Sequence, residues 1–237
     1  MNNKVLIIPD IHGLDFWKEP CYNWDGIIIF LGDYVDPYYG TSKKTAKHNL
    51  EDLVNFKKNT KCTCRFLLGN HDHSYISGLN PCRFDYYNKD IISALFNELE
   101  LSLCVVIKNY VFSHAGFTNA WLGDKDFFNE EFVVPNAYKE LPVNWLQQVP
   151  YSRNGESAYG SCLWNDVSDF QAEEHHKGVL ENTYQIFGHS WGGRTEPIIN
   201  DDFAMLDCHK AFALDLFTGK IQEYNEAILS ENTSSSN

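Results

Sequence analysis

Five short apolar runs in this sequence each end in polar side chains beside a glycine. The polar ends are Asp10-Ile11-His12-Gly13, Gly32-Asp33-Tyr34-Val35-Asp36, Gly69-Asn70-His71-Asp72, His114-Ala115-Gly116 and Gly188-His189-Ser190. Burying an amide or imidazole without a partner costs a few kcal/mol, and a bare carboxylate costs more. Polar groups at the ends of core strands therefore need compensation, from hydrogen bonds or from metal ions.

The residue types at these ends favour a site for divalent cations. They offer carboxylate oxygen, amide oxygen and imidazole nitrogen but no thiolate, a set that suits Mn, Fe or Zn. The candidate metal ligands are Asp10, His12, Asp33, Asn70, His114 and His189. This set exceeds the three or four protein ligands that one catalytic ion normally takes, and a carboxylate such as Asp33 can bridge two ions. We therefore predict a site for two metal ions.

Each polar end taken alone also has an ordinary structural interpretation. Asp10 and His12 suit a turn or a cap, and Asn70-His71-Asp72 could form a hydrogen-bonded turn. Asp33 and Asp36 could cap a helix. The metal hypothesis therefore depends on all five ends occurring together after five strands.

The elements that must position these residues alternate between strands and helices. Strands are predicted at Lys4–Pro9, Gly26–Leu31, Cys64–Leu68, Leu103–Ile107, Tyr110–Ser113 and Tyr184–Phe187. Helices are predicted within residues 42–59 and over Asp90–Leu99. Residues 203–226 are predicted to form an antiparallel meander. The alternation predicts an α/β fold, in which ligands bind at the carboxyl ends of the strands.

Length and composition favour one domain. With 237 residues, 43% of them hydrophobic, the chain can bury a large core, and we predict a single domain over residues 1–228. Residues 123–160, punctuated by Asn and Pro, are predicted to be an insertion with short helices near the site. Residues 229–237 are predicted to be a disordered tail.

Charge and cysteine content exclude some classes of protein. A formal charge of -13 argues against a broad nucleic-acid surface. No run approaches the roughly 18 apolar residues of a membrane helix, and the amino terminus lacks the long apolar segment of a signal peptide. Seven scattered cysteines suit reduced thiols, so we predict a cytoplasmic protein.

The order and wording of the polar ends resemble the calcineurin-like metallophosphoesterase superfamily. Its blocks are D-x-H, G-D-x-x-D, G-N-H-[DE], a later His and G-H-x, and all five occur here in order. The blocks are most similar to those of serine/threonine phosphoprotein phosphatases and their bacterial and phage relatives. Residues 163–166 (LWND) also resemble a segment of those enzymes, and Trp191 stands where other branches carry a second His. The resemblance implies a central β-sandwich of mixed sheets flanked by helices.

The resemblance also implies individual roles. One metal would be held by Asp10, His12 and Asp33, and the second by Asp33, Asn70, His114 and His189. His71 would be the general acid or leaving-group stabiliser, oriented by Asp36, and Asn70 would also contact substrate.

The implied reaction is hydrolysis of phosphomonoesters by direct attack of metal-bound hydroxide, on a phosphoprotein or a small phosphate ester. Two alternatives stay open: a dinucleoside polyphosphate hydrolase, which carries similar motifs, and a catalytically silent metal-binding scaffold.

Two family arginines are absent. The arginine that follows G-D-x-V-D and grips phosphate is Pro37 here. The second is expected within residues 167–182, which offer only His175, His176 and Lys177. Arg153 and Arg194 are the candidate substitutes for binding phosphate.

Overall fold

The computed structural model describes residues 3–38, 40–79, 82–123, 125, 130–168 and 182–225. The predicted disordered tail at 229–237 lies outside these residues. So do His175, His176 and Lys177.

The described strands form two mixed sheets of five strands each. In chain order they are β1 (Lys4–Ile8), β2 (Ile27–Phe30), β3 (Thr63–Phe66), β4 (Cys104–Ile107), β5 (Tyr110–Ser113), β6 (Tyr184–Phe187), β7 (Ile198–Ile199), β8 (Phe203–Met205), β9 (Phe212–Asp215) and β10 (Ile221–Glu223). The first sheet has the order β10-β9-β1-β2-β3 and the second β4-β5-β6-β8-β7. Strands β1, β2 and β3 run parallel, as do β5, β6 and β8. The predicted sandwich of mixed sheets flanked by helices is confirmed.

The helices are α1 (Lys18–Tyr22), α2 (Lys43–Asn59), α3 (Asn70–Ser77), α4 (Lys89–Leu99), α5 (Asn119–Leu122), α6 (Glu130–Val133) and α7 (Val143–Leu146). Short 3₁₀ turns follow at Ala137–Glu140 and Tyr151–Arg153. Helix α2 begins after Ser42, whose Oγ accepts a hydrogen bond from the Thr45 amide at 3.0 Å. Among the described helices none is long and apolar enough to span a bilayer.

Alternation along β1 divides the core into two layers. Val5 and Ile7 pack between the two sheets, whereas Leu6 and Ile8 pack beneath the helices. Successive strand residues point to opposite faces, so a strand covered on both faces is apolar throughout. The continuous run VLII is the result.

The predicted meander at residues 203–226 is wrong in part. Strand β8 lies in the second sheet, parallel to β6, and the chain then crosses to the first sheet, where β9 pairs with β1. Only the β9–β10 hairpin matches the prediction. An alternating apolar pattern specifies a strand but does not specify which sheet edge it joins.

Candidate metal centre

The polar ends of five strands meet at one edge of the sandwich. Asp10 follows β1, Asp33 follows β2, Asn70 follows β3 and begins α3, His114 follows β5, and His189 follows β6. The ligand atoms of Asp10, Asp33, His114 and His189 all lie within 4.8 Å of one another, and all four residues are buried.

The other two predicted ligands belong to the same group. His114 Nε2 lies 3.0 Å from Asn70 Oδ1 and 3.1 Å from His189 Nδ1. His12 Nε2 lies 3.5 Å from Asp33 Oδ2. The structure thus brings all six residues together, and their roles as ligands stay predictions.

Hydrogen bonds set which nitrogen of two histidines faces the centre. His12 Nδ1 donates to the Val35 carbonyl at 2.9 Å, and His114 Nδ1 donates to the Leu31 carbonyl at 2.8 Å. Each ring then presents the Nε2 lone pair to the group. A backbone carbonyl that fixes the tautomer in this way is the usual support of a metal-binding histidine.

The donor set fits a divalent cation. Asn70 Oδ1 and His189 Nδ1 both converge on His114 Nε2, whose lone pair faces the lone pairs of the Asn70 oxygen. His189 Nε2 is buried with no hydrogen-bond partner among the described residues. Buried lone pairs that face one another repel, and a bound cation would satisfy them together.

Charge states in the centre agree with this fit. Burial raises the pKa of Asp10 well above its usual range, and the carboxylates of Asp207 and Asp33 raise it further. Burial lowers the pKa of His12 to about 3 and that of His189 well below its usual range. The imidazoles of His12 and His189 are therefore neutral, as metal-binding imidazoles must be, and a bound cation would supply a countercharge to Asp10.

Left-handed backbone aims several of these side chains. The φ angles of His12, Asp33 and His189 are 44°, 53° and 67°. Non-glycine residues pay roughly 1–2 kcal/mol for this conformation, which is concentrated at functional sites. The left-handed conformation turns the chain sharply after the strand ends.

The glycines beside the ligands leave room for carboxylates from neighbouring strands. A Cβ atom at Gly69 would lie 2.1 Å from Asp33 Oδ1, and one at Gly188 would lie 2.1 Å from Asp10 Oδ1. Both contacts are impossible for a real side chain. The repeated pairing of glycine with a polar residue in the sequence follows from this crowding.

Asp72 supports the candidate centre by accepting hydrogen bonds from backbone amides, a role that the sequence did not predict. Its Oδ2 accepts from the amides of Asp33 at 2.8 Å and Gly69 at 3.0 Å. Its Oδ1 accepts from the Tyr34 amide at 3.0 Å. One buried carboxylate therefore joins the loop after β2 to the start of α3.

His71 and Asp36 form a pair at the rim of the centre. His71 Nδ1 lies 2.8 Å from Asp36 Oδ2, and the Tyr75 hydroxyl donates to Asp36 Oδ1 at 2.5 Å. The Asp36 side chain is fully buried, whereas that of His71 is 12% exposed. The pair fixes the ring, and Nε2 lies on the side of the ring away from Asp36, 3.2 Å from a guanidinium nitrogen of Arg83.

The two candidate arginines lie near the loop that carries His189. Arg153 forms an ion pair with Asp166 at 2.9 Å and donates to the His189 carbonyl at 3.2 Å. Arg194 donates to the carbonyls of Ser190 at 2.5 Å and Trp191 at 3.0 Å, within its own turn. Contact of either arginine with substrate stays a prediction.

Part of the 123–160 segment packs against the site. Gln147 Nε2 lies 2.6 Å from His73 Nδ1, and Trp164 Nε1 donates to Gln147 Oε1 at 3.0 Å. The Trp164 ring in turn meets the His189 ring edge-on, with centroids 5.9 Å apart. These contacts connect α7 to the residues around the metal centre.

Two further residues near the centre were missed. Asp207 comes soon after β8, and burial together with the charge of Asp33 raises its pKa to about 7. The run FAML before Asp207 carries the same signal as the other strand ends, which the meander interpretation concealed. Arg83 places a guanidinium nitrogen 3.2 Å from His71 Nε2, and no sequence pattern connects these two residues.

Comparisons with known proteins found a family model and similar solved structures. A family model described as calcineurin-like phosphoesterase matches residues 4–192. A cold-active protein-tyrosine phosphatase from a psychrophilic Shewanella species is 14% identical over 94% of this chain and 80% of its own, with a TM-score of 0.60. A metallophosphoesterase from Sphaerobacter thermophilus is 11% identical over 98% and 93%, with a TM-score of 0.42. No curated protein matches the sequence.

Proposed function

The chain belongs to the calcineurin-like phosphoesterase family, and from this premise we propose that it is a two-metal phosphomonoesterase of the serine/threonine phosphoprotein phosphatase type. Its class, a metal-dependent phosphoric ester hydrolase, follows from the family. The number of metals and the phosphomonoester substrate are the proposal.

One observation supports the proposal most strongly. Buried lone pairs of Asp10, Asp33, Asn70, His114 and His189 converge in one group, beside the His71–Asp36 pair. The first ion would be held by Asp10, His12 and Asp33, and the second by Asp33, Asn70, His114 and His189. Oxygen and imidazole nitrogen donors suit Mn, Fe or Zn.

When bound, divalent ions supply charge that attracts phosphate and lowers the pKa of a water from about 15.7 toward 7. The protein contributes orientation. Asp33 lies between the two proposed ligand groups, because its Oδ2 is 3.5 Å from His12 Nε2 and 3.7 Å from His114 Nε2. A single carboxylate is therefore placed to serve both.

His71 holds the proton for the leaving group. Asp36 accepts from Nδ1, which leaves Nε2 as the ring nitrogen available for proton transfer. A protonated Nε2 donates to the departing oxygen, and the buried Asp36 carboxylate stabilises the imidazolium. A positioned general acid contributes about 10²- to 10⁴-fold to rate.

The proposed substrates carry a phosphoryl group on an exposed chain or a small molecule. The Shewanella protein that shares this fold is described as a protein-tyrosine phosphatase, so phosphotyrosine belongs among the substrates to test. Serine and threonine phosphopeptides are favoured by the motif resemblance.

Metal analysis followed by a substrate panel tests the proposal. We expect about two transition-metal ions per chain, and hydrolysis of p-nitrophenyl phosphate and phosphopeptides with added manganese. Release of nucleotides from a dinucleoside tetraphosphate, without phosphate from phosphopeptides, would instead indicate the dinucleoside polyphosphate hydrolase. Inertness toward the whole panel would indicate the silent scaffold.

A matched pair of variants ties any activity to the centre. Asp33→Asn removes the shared carboxylate and should abolish hydrolysis and lower the metal content. Asp52→Asn alters a part-exposed carboxylate that pairs with Lys18 at 2.5 Å, away from the centre. It should behave as the wild type. Equal activity in both variants would show that the hydrolysis does not arise at this site.

A further inference from the structure

We propose that Arg83 binds the phosphoryl group of the substrate and so takes the place of the arginine missing at Pro37. The inference rests on the proposed phosphoesterase function. It concerns a residue from a different part of the chain, in the segment between α3 and α4.

The Arg83 guanidinium contacts both members of the proposed proton-transfer pair, His71 and Asp36. One terminal nitrogen lies 3.2 Å from His71 Nε2, and Nε donates to the Asp36 carbonyl at 3.0 Å. That carbonyl directly precedes Pro37. The guanidinium therefore lies where the chain passes position 37, beside the atom proposed to protonate the leaving oxygen.

Neighbouring contacts hold the Arg83 segment in place. The Phe84 ring stacks on Tyr75 with centroids 4.1 Å apart, and the Asp85 amide donates to the Tyr75 hydroxyl at 2.8 Å. The same hydroxyl donates to Asp36. The segment that carries Arg83 is thus joined to the residue that orients His71.

The Arg83 side chain is also oriented before any ligand arrives. Its guanidinium lies over the Tyr38 ring, 3.9 Å from the centroid. Its backbone adopts a left-handed φ of 70°, which disfavours residues other than glycine. A planar donor fork held in one orientation loses little entropy when it binds an oxyanion.

The charge of Arg83 has no anionic partner among the described residues. Arg153, by contrast, lies 2.9 Å from a carboxylate oxygen of Asp166. The neighbours of the Arg83 guanidinium include the His71 imidazole nitrogen, the Asp36 backbone carbonyl and the Tyr38 ring, all of them neutral groups. A cation with neutral neighbours beside a metal centre is suited to an incoming anion.

The two groups can act on the same phosphoryl group. Because the Arg83 nitrogen and His71 Nε2 are only 3.2 Å apart, an ester whose leaving oxygen reaches His71 brings another oxygen within reach of Arg83. Substrate would then replace the contact between Arg83 and His71. His71 Nε2, which accepts from Arg83 in the structure, would then be free to take up a proton from solvent and pass it to the leaving oxygen.

The test uses three variants of the metal-loaded full chain. Arg83→Ala removes the guanidinium, and Arg83→Lys keeps the charge without the fork. Arg65→Ala removes an exposed arginine on β3 and serves as the control. Isothermal titration with inorganic phosphate measures binding independently of turnover, and metal content and thermal denaturation are measured alongside.

We expect Arg83→Ala to weaken phosphate binding about 10- to 100-fold, the range for a charged hydrogen bond, with metal content unchanged. Arg83→Lys should fall between Arg83→Ala and the wild type, and KM for p-nitrophenyl phosphate should rise in parallel. Should Arg83→Ala fail to fold, the same comparison is made with Arg83→Gln. Wild-type phosphate affinity in the folded variant overturns the proposal.

Other outcomes distinguish failure of this inference from failure of the proposed phosphomonoesterase function on which it rests. A fall in kcat with unchanged phosphate affinity would mean that Arg83 only positions His71, which also overturns the proposal. If the wild type binds phosphate but hydrolyses no ester, the proposed function fails. The titration of Arg83→Ala still decides whether Arg83 binds the anion.

Discussion

The candidate metal centre and its rim, by which we mean His71, Asp36 and the arginines proposed to contact substrate, are built in different ways. Four candidate ligands, Asp10, Asp33, His114 and His189, come within three residues of the end of a strand, and their ligand atoms lie within 4.8 Å of one another. The rim arginines come from surface segments: Arg83 from the stretch between α3 and α4, and Arg153 from a 3₁₀ turn. The strand ends therefore fix the candidate ligands, whereas the proposed substrate contacts lie on loops, whose sequences vary more freely.

The largest effect is expected when the candidate metal centre is crowded without removal of a proposed ligand. Gly188→Ala would place Cβ 2.1 Å from Asp10 Oδ1. We expect loss of bound metal and a fall in kcat/KM of about 10³-fold or more, measured by metal analysis and steady-state kinetics. Gly78→Ala is the control, because its φ of 77° strains the backbone but its Cβ meets nothing. Normal metal content in Gly188→Ala would contradict the predicted crowding.

Removing the proposed acid should separate rate from metal binding. His71→Asn keeps a polar side chain but cannot carry the transferred proton. We expect kcat to fall about 10²- to 10⁴-fold with full metal content. If metal and activity were lost together, His71 would be a ligand, and the distinction between centre and rim would have to be redrawn.

Substitution of Asp72, which supports the centre by accepting hydrogen bonds from backbone amides, should lower metal affinity less than loss of a proposed ligand. Asp72→Asn weakens the acceptance of three buried amide hydrogens, including that of Asp33. We expect metal affinity to drop about 10- to 100-fold and stability to fall by about 1–3 kcal/mol. Asp215→Asn, which alters the turn before β10, is the control. It should lower stability alone, and equal metal affinities in wild type and Asp72→Asn would refute the supporting role.

The smallest effect is expected for substitution of Arg153, which is already paired with Asp166. Arg153→Ala breaks a part-exposed ion pair with Asp166, an interaction worth about 0–1 kcal/mol. We expect kcat/KM to change less than about tenfold, a smaller change than for Arg83→Ala in the same assay. A larger loss for Arg153→Ala would assign the main phosphate contact to that arginine.

The predicted ligands could be found in the sequence because each sits next to its strand. Polar residues that interrupt an apolar run are visible in one dimension, and parallel strands bring their carboxyl ends to a common edge. Asp207 shows the limit of this reasoning. Its apolar run is visible, but the pattern predicts a strand in an antiparallel meander rather than one parallel to β6, so the sequence does not predict that Asp207 lies near Asp10.

The sequence by itself determined most of the strands, the two long helices, the polar ends and the metal ligands that their residue types allow. Only the tertiary structure decided that Asp72 supports the loop of Asp33, that β8 and β9 belong to different sheets, and that Arg83 reaches His71. The physical reason is that side-chain periodicity and residue type are local properties. A contact between distant segments depends on how whole elements pack, which no local pattern records.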